Sequence, residues 1–76
     1  MTTEQTLTAT ARRLGFRPTI ARTETAARFT ALDQEGNIRV SADIINGRFA
    51  SGYTVDRFAN LVSCSTVREL TRFMAW

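Results

Sequence analysis

The sequence predicts an α+β fold: a three-stranded antiparallel meander sheet flanked by an N-terminal and a C-terminal helix, in two layers. Three observations carry this reading. Apolar residues recur at helical spacing near both ends of the chain. Between them they alternate with a period of two. Two turn signals, Asp33-Gln34-Glu35-Gly36 and Asn46-Gly47, divide that alternating stretch into three strands.

The first helix opens at Thr2, with Gln5 three residues on in a capping-box arrangement. Leu7, Ala11 and Leu14 form one narrow apolar stripe, and Arg12 and Arg13 sit in the last turn, where cations suit the helix dipole. Gly15 stops the helix and Pro18 prevents its resumption. The stretch "FRPTIARTETA" reads as a loop or a short edge strand, from which Phe16 and Ile20 plug the core.

Asp33 through Gly36 suits a type I turn followed by a left-handed glycine. That turn pairs Asp33 with Asn37, then Leu32 with Ile38 and Thr30 with Val40. The Asn46-Gly47 turn pairs Ile45 with Arg48, Ile44 with Phe49 and Val40 with Tyr53. Leu32, Ile38, Val40, Ala42, Ile44, Phe49, Ser51 and Tyr53 then share the core face. The opposite face carries Phe29, Ala31, Arg39, Ser41, Asp43, Ile45, Arg48, Ala50 and Gly52. A slip of one residue at the first turn would bury Phe29 instead.

Val55, Phe58, Ala59 and Val62 return to helical spacing, which leaves room for a short extra helix before the last one. The final helix starts at a second capping box, Thr66 to Glu69, and buries Val67, Leu70 and Met74, widened by Phe73. Trp76 either seals the edge of this core or anchors a partner.

At 76 residues the chain is a single domain spanning residues 1–76. A core this thin usually needs a further staple, and with one cysteine and no histidine neither a disulfide nor a zinc site supplies it. A partner remains. The net charge is +3 and every basic residue is arginine. The polar N-terminal stretch and the unpaired cysteine predict the cytoplasm, and no apolar run is long enough to span a membrane.

Catalysis is not expected. Without histidine or lysine the usual general bases and Schiff-base nucleophiles are missing, and the carboxylates Asp33, Asp43 and Asp56 are scattered. No glycine-rich phosphate loop, cofactor motif, metal cluster or small-molecule site is legible. Cys64 precedes a helix start, where the dipole can lower a thiol pKa; the competing reading is a buried structural cysteine.

Two surfaces are candidates for binding. The open sheet face, with Phe29, Arg39, Asp43, Ile45 and Arg48, suits a protein partner: a second copy or a larger complex. The arginines Arg12, Arg13, Arg17 and Arg22 suit nucleic acid. In the order of its elements alone the chain resembles double-stranded-RNA-binding domains. Their loop histidine and lysine-rich helix start are absent here. In size and organisation it is similar to the small accessory proteins of phages and mobile elements, anti-CRISPR inhibitors among them. That resemblance implies an inhibitor without chemistry of its own, which acts by occupying a site on a larger complex.

Overall fold

The structure is a computed structural model that describes residues 2–75. It is α+β, with two helices and a five-stranded antiparallel sheet. The order is α1 (Thr3–Arg13), β1 (Arg17–Arg22), β2 (Ala26–Leu32), β3 (Ile38–Ile45), β4 (Arg48–Val55), β5 (Leu61–Cys64) and α2 (Val67–Met74). The strands form a simple meander, each paired with the next in sequence.

The sheet has two strands beyond the expected three: the edge strand that was one reading of the stretch after Gly15, and a last strand that was not expected. The ambiguous stretch after Gly15 is β1, an edge strand in which Pro18 is tolerated because its missing N–H points away from the sheet. The expected short helix is absent: residues 56–60 form a turn and Leu61–Cys64 form β5. The turn repeats the one before β3. In each, the Asp carboxylate accepts two backbone N–H groups, from Glu35 and Asn37 in one case and from Phe58 and Asn60 in the other. In each, the fourth residue donates to the Asp carbonyl and the Asp donates to the Asn carbonyl. D-Q-E-G-N and D-R-F-A-N are thus one turn written twice.

The fourth residue of this turn needs a positive φ. Gly36 supplies it at +87°, but Ala59 is forced to +65°. A Cβ there costs about 1–2 kcal/mol, offset in part by the greater freedom of an unfolded glycine. Ala59→Gly is therefore expected to stabilise the protein by roughly 0.5–1 kcal/mol, read as a higher urea midpoint, with Gly36→Ala moving it the other way.

Both helices are capped at the expected residues, but on α2 the Glu69 carboxylate reaches back to the Ser65 N–H and hydroxyl. Thr2 and Gln5 close a full capping box on α1, and Thr66 accepts the Glu69 N–H at the start of α2. Leu7 and Ala11 from α1, with Leu70 and Met74 from α2, pack on one sheet face against Ala27, Phe29, Ala31, Val40, Ala42 and Ile44. Phe16, Ile20 and Phe49 close the margins.

Two bulges correct the expected faces. Leu32 pairs with Ile38 as read, but Ala31, not Thr30, then meets Val40, so Arg39 is the extra residue. Phe29 consequently turns inward and is fully buried. Ile38 turns outward and is 49% exposed. A second bulge, at Ala50, places Thr54 rather than Tyr53 opposite Val40. Thr54 goes to the core, and Ser51 and Tyr53 go to the outer face. Gly52 lies just past this bulge, opposite Ala42: a Cβ there would lie 2.8 Å from the Ser41 carbonyl oxygen and 3.0 Å from the Phe49 ring.

Candidate functional site

The helices leave the other sheet face uncovered, and the register writes its pattern. Thr19 pairs with Thr30, Thr30 with Ser41, Ser41 with Tyr53, and Tyr53 with Ser63. Directly paired residues share a face. One row of five hydroxyl groups therefore crosses all five strands. The Thr19 and Thr30 hydroxyls bond to each other. Among the described residues, the hydroxyls of Ser41, Ser51, Tyr53 and Ser63 have no hydrogen-bond partner within the chain.

Beside that row runs a second one, Ala21, Arg28, Asp43 and Ser51. Arg28 Nε donates to Asp43 Oδ1 at 2.9 Å. The hydrogen bond, then the charge of Asp43, raises the Arg28 pKa above its ordinary value. The pair is exposed and adds little stability. Between the two rows lies an open depression of about 420 Å³, lined by Arg28, Ser41, Asp43, Ser51 and Tyr53 among others. On the side of the Asp turns the face becomes apolar, with the cross-strand pairs Leu32–Ile38 and Val55–Leu61. At the opposite end Ile45, 49% exposed, pairs with Arg48.

Of the residues expected on this face, Ser41, Asp43, Ile45 and Arg48 are there, whereas Phe29, Ala31, Arg39 and Gly52 are not: Ala31 is buried and Gly52 pairs with the core residue Ala42. Phe29 belongs to the core. The Arg39 guanidinium packs over the Phe16 ring, 5.7 Å from its centroid. Its Nε and Nη2 donate to the Val55 carbonyl at 3.1 and 2.9 Å. Arg39 is therefore a structural cation. The reading missed Thr19, Arg28, Thr30, Tyr53 and Ser63. The D-R-F-A-N echo of D-Q-E-G-N would have revealed β5, and hence the full width of the face.

The expected arginine cluster is divided. Arg12 and Arg13 are exposed at the end of α1 and Arg17 is exposed on β1, whereas Arg22 is tied to Glu4 by a 2.6 Å ion pair. Cys64 ends β5 and is buried. Burial, and secondarily the charge of Glu69, pushes its thiol pKa up, the reverse of a reactive thiolate. Trp76 lies outside the described residues. Among the described residues no group of His, Cys, Asp and Glu could hold a metal ion, and no helix is long and apolar enough to cross a membrane.

The chain matches no protein-family model, no curated protein and no solved structure. Its function is therefore argued from this site.

Proposed function

We propose that this protein is a non-catalytic interaction module that docks its uncovered sheet face onto a larger protein or complex and acts by occupying a site there. The observation that carries the reading is the run of hydroxyls without internal partners, Ser41, Tyr53 and Ser63, lying beside an apolar band. Tyrosine and serine together supply contact area and adaptable hydrogen bonds at low entropic cost, the combination used by antibody paratopes. Leu32, Ile38, Val55 and Leu61 add burial, and Arg28 and Arg48 form a polar rim.

The test is to recover the tagged protein from the cells that make it, identify the stoichiometric partner and measure its affinity for variants. Tyr53→Ala, and Ser41→Lys in the middle of the hydroxyl row, are expected to weaken binding about tenfold or more, the cost of losing a central anchor. The double variant Arg12→Ala/Arg13→Ala should bind as the parent does. Undiminished binding by both face variants would reject the reading.

Nucleic acid is the second reading, favoured by the exposure of Arg12, Arg13 and Arg17 without acidic partners among the described residues. It predicts the opposite pattern: loss on removing those arginines, and affinity that falls steeply with salt.

A further inference from the structure

The two edges of the sheet are built differently. The Thr23 N–H donates to the Ala26 carbonyl at 2.8 Å, and in an antiparallel ladder every second pair bonds. Arg17, Thr19 and Ala21 therefore bond inward to β2, and Pro18, Ile20 and Arg22 face outward. Pro18 has no N–H to offer, and Arg22 is held by Glu4 of α1. Proline and charge are standard protections of an edge strand.

Strand β5 has neither. Its sequence, LVSC, holds no proline and no charge, and its pairing with β4 is free of bulges. The Asp56 N–H donates to the Asn60 carbonyl at 2.9 Å. Val62 and Cys64 therefore bond inward to β4, and Leu61 and Ser63 turn both N–H and C=O outward. The two most exposed large apolar side chains of the described residues belong to this edge or the turn feeding it: Phe58 at 71% and Leu61 at 60%.

We propose that β5 pairs antiparallel with β5 of a second copy of this chain, joining two sheets into one of ten strands. The edge is self-complementary in one register. With Val62 opposite its own counterpart on the two-fold axis, Leu61 of each copy faces Ser63 of the other. All four outward N–H groups and all four outward carbonyls then pair, and both side-chain faces stay aligned. Shifting the axis to Ser63 instead sets Leu61 against Ser65, whose N–H already donates to Glu69.

The helices agree with this geometry. Helix α2 lies over both β4 and β5. Across the junction the two α2 helices would stand about two strand spacings apart, ~10 Å, a normal helix-packing distance. The dimer does not depend on what the uncovered face binds. If both hold, that face doubles in width.

The experiment is solution mass by light scattering from about 10 μM to about 1 mM, a range that brackets small interfaces. It uses the parent chain, Leu61→Lys, Ser63→Pro and Val62→Cys. The parent is expected to reach twice the 8.5 kDa of one chain as concentration rises. Leu61→Lys and Ser63→Pro are expected to stay monomeric with an unchanged far-UV spectrum. On oxidation Val62→Cys should form a disulfide-linked dimer across the axis, and the parent, whose Cys64 would lie level with Asn60 of the other copy, should not. Should Ser63→Pro fail to fold, the other two variants still decide. A parent monomeric throughout overturns the proposal. So does a dimer that survives Leu61→Lys while Val62→Cys fails to cross-link, which would move the contact elsewhere.

Discussion

Phe29→Ala is expected to leave the protein largely unfolded at 25 °C. Phe29 is the largest fully buried side chain among the described residues. It stands in the centre of β2, opposite Ala42 and between the buried Ala27 and Ala31. Three of its nearest neighbours in the sheet are thus alanines, which contribute little volume of their own. Removing the ring leaves a cavity that small rigid neighbours cannot fill, and such truncations cost about 3–5 kcal/mol. A single core in a chain of this length rarely supplies more than about 3–5 kcal/mol in total. The loss therefore matches the whole stability. Phe29→Leu keeps most of the volume and should remain folded at a cost of about 1 kcal/mol. Urea and thermal melts followed by circular dichroism check both. A Phe29→Ala melt within a few degrees of the parent would mean that the ring does not sit in the core.

That prediction turns on a detail the sequence hides. The two helices are legible because each carries its own signals: caps at Thr2 and Thr66, and apolar stripes at a period that only a helix uses. The Asn46-Gly47 turn is legible because both residues must take positive φ, 52° and 77°, and few other pairs do so cheaply. The faces of the strands are less legible, because period-two alternation holds only until a bulge. Neither Arg39 nor Ala50 marks its bulge with glycine, and each shift reverses the residues beyond it. Phe29 and Tyr53 were accordingly assigned to each other's faces. Strand β5 was hidden for a different reason. Val55, Phe58, Ala59 and Val62 fall at helical spacing by coincidence, and Ala59 stands where Gly36 announces the equivalent turn. The candidate site inherits these errors: Asp43, Ile45 and Arg48 were found, while most of the hydroxyl row was not.

Arg39→Ala should produce the second-largest loss, although Arg39 reads as an exposed binding residue. Its guanidinium donates twice to the Val55 carbonyl near the bulge, where the backbone of β3 is out of register. A hydrogen bond from a charged donor is worth about 1.5–3 kcal/mol, and the contact with the Phe16 ring adds about 0.5–1 kcal/mol. The half-buried carbonyl loses its donors on truncation, so a loss of about 2–3 kcal/mol is expected. For a domain of this size that lowers the melting temperature by roughly 10–20 °C. Lysine should not restore it, because a single ammonium cannot reproduce the two-donor fork. The pH dependence separates this role from a general charge effect. Asp33 and Asp56 are held below the usual carboxylate range first by the backbone N–H groups of Asn37 and Asn60, and only last by the positive charge of Arg39. A depressed carboxyl pKa stabilises the fold above the unfolded carboxylate range, and that contribution is lost as pH falls through the folded pKa. Both proteins should therefore weaken on acidification below about pH 4, along nearly parallel curves, because the turns that hold the carboxylates survive the substitution. Curves that converge in acid would assign Arg39 to the carboxylates, and an unshifted melt at neutral pH would return it to the surface as a free cation.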